Sequence, residues 1–292
     1  MRNMMPIVGQ EPTSPEPRTD RHEVETELRT HRRFDRAARL IGEPALHRLM
    51  KSRVVVFGMG GVGSFAAEAL SRNAVGELVL VDFDDVCVTN TNRQLHAMKG
   101  NIGKRKVDIM AERCAMIHPT GKVSAIAKFY SAESSDELLD GQIDFVVDAI
   151  DNMTAKAHLI ATCIARKIPI VSSMGAAARL DPTRVRTADL SETEMDPFAR
   201  SLRKLLREKH AIDCKKETGP VGVTAVFSDE PPVPPSPISY DAATGFVCVC
   251  PNNDNGLHTC EKRSRIDGSA AFVTGTFGLV CASVVVRTLS QT

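Results

Sequence analysis

The chain reads as an α/β fold, a mostly parallel sheet with helices on both faces and an irregular C-terminal appendage. Two observations carry that reading. Short apolar runs alternate with segments of helical periodicity through the first two thirds of the chain, the pattern of strands joined by crossover helices. The runs RVVVFG, ELVLVD and DFVVDAI are apolar at nearly every position, as strands buried on both faces must be. A third observation makes the fold Rossmann-like: GMGGVGS sits between the first strand and the following helix.

The elements follow in order. Residues 1–30 are dominated by proline, glutamate and threonine, and are expected to be disordered. They carry no apolar signal core, and their acidic residues speak against a mitochondrial presequence. Residues 31–292 are expected to fold as one domain, opening with one or two short helices in RFDRAARLIGEPALHRLMKS. A helix over Ser64–Asn73 follows the glycine turn, and ELVLVD is the second strand. Lys104–His118 is helical, with Val107, Met110, Ala111, Cys114 and Ile117 on one face. KVSAIAKF and DFVVDAI are strands, Thr154–Arg166 is a helix with an Ala157, Ile160, Ala161, Ile164 stripe, and IPIVSSMG is a strand. The second half is less regular: a basic amphipathic helix with a loop over 196–216, a strand at Val223–Phe227 and a proline-rich loop at 229–245. The apolar run Ala270–Val286 is broken by Thr274, Gly275, Thr276, Gly278 and Ser283, so it reads as a buried helix and not as a membrane span.

Composition narrows the function classes. A formal net charge of +1 leaves room for a nucleic-acid site only as a local basic patch. With no Trp and two Tyr, the composition argues against rows of stacking rings as the recognition device. Cys114, Cys163 and Cys281 sit in apolar segments, which favours reduced, buried thiols in a reducing compartment such as the cytoplasm.

Gly58, Gly60 and Gly63 spell GxGxxG, and a helix N-terminus behind such a turn attracts phosphate. Asp82 ends the second strand at the distance usual for a carboxylate holding a ribose. To this point NAD and ATP are served equally. Arg93 and Lys106 then favour ATP, because a triphosphate needs extra cations: the first offers a planar fork, the second a point charge. Asp148 and Asp151 stand at a strand C-terminus, where open α/β sheets bind ligands. Asp151 is the better Mg²⁺ ligand candidate, and Asp148 is as well suited to a structural hydrogen bond. The second glycine of the central pair, Gly61, is expected to let the phosphates lie close to the backbone.

GMGGVGS, DFD, TNTNRQ, GKRK and DAIDN, in this order and spacing, resemble the adenylating enzymes of the ubiquitin-activating superfamily, which include molybdopterin-synthase and thiazole-pathway adenylyltransferases. The resemblance implies that Asp82 and Asp84 lie at the ribose and that Thr89, Asn90, Asn92 and Arg93 contact the nucleotide. It also implies Lys106 at the phosphates, Asp151 on Mg²⁺ and Asn152 within the nucleotide site. RFDRAARL matches an arm that sends an arginine, here Arg36 or Arg39, into a neighbouring subunit's site, which implies a homodimer. Members that activate ubiquitin-like sulfur carriers hold zinc in two CxxC pairs, and this chain has none. Its nearest cluster, Cys248, Cys250, His258 and Cys260, is expected to be solvated or strand-borne, with metal binding as the alternative.

ARLIGEPALHRL, DVCVTNTNRQLHA, AARLDPTRV, DLSETEMDPFARSLRKLLR, VFSDE and VTGTFG resemble the tRNA threonylcarbamoyladenosine dehydratases over nearly the whole chain after residue 30. That resemblance implies ATP-dependent cyclisation of the threonylcarbamoyl group through an acyl-adenylate. It makes Arg200, Arg203, Lys204, Arg207, Lys215 and Lys216, set against Asp196, Glu208 and Asp213, a candidate tRNA-binding patch. The rival is an adenylyltransferase for a sulfur-carrier protein, with a sulfur-transfer partner. Gly268 and Ser269 stand where some relatives would place a cysteine, which counts against a thiol role there.

Overall fold

The computed structural model describes residues 32–238 and 267–291. Residues 36–292 form one compact unit, and residues 1–35 fall to a second. The N-terminal stretch 1–30 and the Cys248, Cys250, His258, Cys260 cluster lie outside the described residues. Of the proline-rich loop, residues 229–238 are described, and they have no regular structure.

The elements are α1 (Asp35–Ile41), α2 (Glu43–Lys51), β1 (Arg53–Phe57), α3 (Gly63–Arg72), β2 (Glu77–Val81), α4 (Lys106–Ile117), β3 (Lys122–Ile126), α5 (Ser135–Leu138), β4 (Phe145–Asp148), α6 (Met153–Arg166), β5 (Ile170–Ser173), β6 (Val185–Asp189), α7 (Pro197–His210), β7 (Thr224–Ser228) and α8 (Ala271–Gln291). Seven strands form one sheet in the order β3-β2-β1-β4-β5-β7-β6. All neighbours are parallel except β6 and β7. The sequence pattern does not predict β6: VRTAD is an edge strand of mostly exposed or half-buried polar residues, with no apolar run to announce it.

Alternate residues of the central strands feed two cores. Val54, Val56, Leu78, Leu80 and Val147 pack with α3, α4 and α8, while Val55, Val79, Val81 and Val146 pack with α6 and α7. Helix α8 is long and apolar enough to cross a membrane by composition, with a mean hydropathy of 1.7. Its Val273, Phe277, Cys281 and Val285 are instead buried against the first core, as expected of a core helix. A side chain at Gly278 would meet Val62 O at 2.3 Å, so only glycine lets α8 lie this close to the start of α3.

The strand register lines up the functional edge. Phe57 pairs with both Val81 and Asp148, and Asp148 with Ser172. The segments that follow β2, β1, β4 and β5 therefore leave the sheet side by side at its C-terminal edge.

Candidate active site

The glycine turn leaves β1 at Gly58, whose φ of +88° belongs to the left-handed region. An added Cβ there would lie 2.6 Å from Ala149 O, and at Gly63 it would lie 1.7 Å from Gly58 O. These two glycines close the turn against β4 and start α3. The central pair divides differently from the expectation. Gly61 is packed internally, its missing Cβ 3.0 Å from Thr274 Oγ1 and 3.1 Å from Arg93 O. Gly60 is the open one, its nearest neighbour being Gln94 Nε2 at 3.9 Å. Thr274 of α8 and the Arg93 carbonyl fill the space beside Gly61, and the space beside Gly60 stays open.

Asp82 ties the turn to the end of β2. Its Oδ2 accepts from Met59 N–H at 2.5 Å and its Oδ1 from Asp84 N–H at 2.8 Å. Burial raises its carboxyl above the ordinary value, partly offset by the charge of Lys106. Lys106, buried at the first turn of α4, donates from Nζ to Asp84 Oδ2 at 2.7 Å. Burial pulls its ammonium down, but the carboxylates of Asp82, Asp84 and Asp151 outweigh that and hold its pKa above the usual lysine value. The lysine is thus a fixed cation, held by a direct contact to Asp84 and by the charges of Asp82 and Asp151. Asp151 stands exposed past the end of β4.

The loop after β2 is held by its own side chains. Asn90 Oδ1 accepts from Cys87 N–H at 3.0 Å and caps the 3-10 turn Val88–Asn90. Thr89 Oγ1 donates to Cys87 Sγ at 3.2 Å. Arg93 Nη1 donates to Thr89 O at 2.8 Å and to Asn92 Oδ1 at 3.1 Å, and Asn92 Nδ2 donates to Ser269 O at 2.8 Å. Asn152, expected within the nucleotide site, spends its Oδ1 on capping α6, accepting from Thr154 N–H at 3.1 Å and Ala155 N–H at 3.0 Å. Asp148 takes the structural role. It is fully buried, accepts from Lys156 Nζ at 2.6 Å and Ser172 Oγ at 2.6 Å, and its Oδ1 holds Ile150 N–H at 3.1 Å. The sequence does not announce Lys156, since a lysine one position off an apolar stripe reads as a solvated residue.

Four of the buried thiols among the described residues, Cys114, Cys163, Cys214 and Cys281, are poorly suited to act as nucleophiles. Burial pushes Cys114 and Cys214 up to about 11 and Cys163 and Cys281 up to about 12, so all four are protonated at neutral pH. Among the described residues no group of three or more His, Cys, Asp or Glu could hold a metal ion by itself.

The ThiF family pattern matches residues 34–292. The chain belongs to the ThiF family. Within it, the tRNA threonylcarbamoyladenosine dehydratase of Bacillus subtilis is 47% identical over 256 residues, covering 88% of this chain and 94% of that protein. The Escherichia coli dehydratase is 41% identical over 251 residues, covering 86% and 91%. The crystal structure of the E. coli enzyme in complex with ATP superposes with a TM-score of 0.75 at 38% identity, covering 89% of this chain and 94% of that one. The E. coli molybdopterin-synthase adenylyltransferase is more distant, 31% identical over 57% of this chain.

The candidate RNA face lies on α7 and beyond. Ala199, Leu202 and Leu206 are buried, while Arg200, Lys204 and Arg207 are exposed at helical spacing on the opposite side, with Lys215 and Lys216 exposed farther on. Arg203 departs from the expected group. It is half-buried, and its Nη1 donates to Thr193 O at 2.9 Å, to Leu190 O at 3.3 Å and to Thr193 Oγ1, so it anchors the helix. Arg36 and Arg39 are exposed on α1.

Proposed function

We propose that this chain is an ATP-dependent tRNA threonylcarbamoyladenosine dehydratase. The observation that carries the reading is coverage: the dehydratases match this chain nearly end to end, whereas the sulfur-pathway adenylyltransferase matches little more than half of it. ATP binds over the open face of Gly60, with its phosphates between the N-terminus of α3 and Lys106 and its ribose at Asp82. The substrate carboxylate attacks the α-phosphorus and pyrophosphate leaves. A nucleophile within the same modification then attacks the activated acyl carbon, AMP leaves, and the net loss from the RNA is one water. Ring closure within one bound group needs no enzyme nucleophile, because its effective molarity is already high, and this agrees with the protonated thiols. Mg²⁺, held at Asp151, would neutralise phosphate charge.

The exposed cations of α7 together with Lys215 and Lys216 support binding of the tRNA backbone. Arg36 or Arg39 serves a partner subunit's site in a homodimer, and the enzyme works in the cytoplasm, where its tRNA substrate resides. Incubation with ATP, Mg²⁺ and tRNA carrying threonylcarbamoyladenosine is expected to release AMP and pyrophosphate and to lower the mass of the modified nucleoside by one water. An unchanged nucleoside, with ATP–pyrophosphate exchange stimulated instead by a small sulfur-carrier protein, would overturn the reading.

A further inference from the structure

The C-terminal edge of the sheet supplies site groups strand by strand: Asp82 after β2, the glycine turn after β1, Asp151 after β4. The next strand in the sheet is β5, and the segment leaving it runs from Met174 to Arg179. Arg179 is 3% exposed. Among the described residues its guanidinium makes one hydrogen bond, a 3.4 Å contact from Nη1 to its neighbour Ala178 O, and its buried Nε has no acceptor.

A guanidinium taken out of water without acceptors is costly, and buried polar groups are nearly always satisfied. The obvious structural partner is already engaged. Asp196, at the N-terminus of α7, lies near enough to feel the arginine's charge, but its Oδ2 accepts from Gly175 N–H at 3.2 Å and its Oδ1 from Ala199 N–H at 3.0 Å. No hydrogen bond joins the two side chains: the Asp196 oxygens are taken by backbone N–H groups, and the one acceptor of the Arg179 guanidinium is Ala178 O.

The surroundings join the two halves of the active centre. Ala178 N–H donates to Gly268 O at 2.8 Å, and the adjacent Ser269 O accepts from Asn92 on the nucleotide side. In the other direction, Asp196 begins the helix that carries the exposed cations. Ala178 itself is held at φ +59°, a conformation costly for alanine that persists only where the surroundings impose it. The Met174–Arg179 segment is thus tied to Gly268, next to Ser269 on the nucleotide side, and through Gly175 to Asp196 at the start of α7.

We propose that Arg179 receives the free carboxylate of the threonylcarbamoyl group and holds it for attack on ATP. The proposal rests on the dehydratase reading above. A planar guanidinium matches a carboxylate with two parallel N–H donors, and its charge offsets repulsion between that carboxylate and the triphosphate. The substrate supplies the acceptors that the protein withholds.

The test compares three anticodon stem-loops: one with threonylcarbamoyladenosine, one with the isosteric threonine amide and one with plain adenosine. The wild-type protein is expected to bind the carboxylate RNA roughly 10- to 100-fold more tightly than the amide RNA. Arg179→Gln is expected to bind both alike, with ATP affinity and melting temperature retained, and Arg179→Lys to keep part of the preference. If Arg179→Gln keeps the full preference, or weakens all three RNAs equally as a phosphate contact would, the proposal is overturned. It is overturned too if Arg179→Gln and Arg179→Lys lower the melting temperature and Arg179→Lys keeps the full preference, the sign of a structural arginine. Failure of the underlying reading shows separately, as a wild-type protein that neither prefers the carboxylate RNA nor removes water from it, and it takes the proposal with it.

Discussion

Replacing Lys156 by methionine is expected to damage both the fold and the nucleotide site. Lys156 and Asp148 are 2.6 Å apart, and both side chains are 0% exposed. Methionine fills most of the lysine's volume, so the loss is chiefly electrostatic. Asp148 would keep Ser172 Oγ and the Ile150 N–H but would lose its counter-charge. Breaking a buried pair from one side costs about 3–5 kcal/mol. For a chain of this size that is a fall in melting temperature on the order of 10 °C. Because Asp148 also holds the backbone that leads to Asp151, ATP affinity should fall in parallel. Urea titration and calorimetric ATP binding measure the two effects. Asp148→Asn combined with Lys156→Met, which removes both charges, should recover part of the stability. A single Lys156→Met variant within 1 kcal/mol of the parent would refute the reasoning.

Three other outcomes follow from the geometry. Gly60→Ala should melt within about 2 °C of the parent yet bind ATP roughly 10-fold more weakly, whereas Gly61→Ala, meeting Thr274 and Arg93, should lose about 1–3 kcal/mol of stability. In RNA binding, Lys204→Ala should reduce the slope of log K against log salt by about 1, while Arg203→Ala leaves that slope alone and lowers the urea midpoint. His96 is fully buried, with neither ring nitrogen hydrogen-bonded, and burial together with the Lys106 charge pulls its pKa from 6.5 to about 4. Below pH 6.5 the unfolded chain takes up a proton that the folded chain refuses, so this stability is lost as pH falls toward 4. Between pH 7.5 and 5 the wild type should lose on the order of 2 kcal/mol more than His96→Gln, read from urea midpoints.

Much of the site is legible in the sequence because its chemistry is local. A glycine turn must lie between a strand and a helix, and an acid at the next strand's end must lie beside it; Gly58, Gly63 and Asp82 meet these conditions whatever the rest of the chain does. Lys106, singled out by its spacing after the glycine turn, donates its backbone N–H to Asp84 O at 3.1 Å while its side chain reaches the same residue. Asn152 and Asn90 show the limit. An Asn just before a helix, like Asn152, or inside a short turn, like Asn90, reads equally well as a ligand and as a cap, and both side-chain oxygens here accept backbone N–H groups as caps.

Composition and periodicity decided the α/β class, the parallel strands, the glycine turn and the buried C-terminal helix, because those signals are carried by residues close together in the chain. Only the tertiary structure decided which glycine stays open, since Gly61 is filled by Thr274 from a helix more than two hundred residues away. It also decided that Lys156 is a buried counter-charge, that Arg203 is an anchor and that the buried Nε of Arg179 has no acceptor. A charge in a sequence carries no record of its burial; that depends on which distant element covers it and which acceptors that element brings.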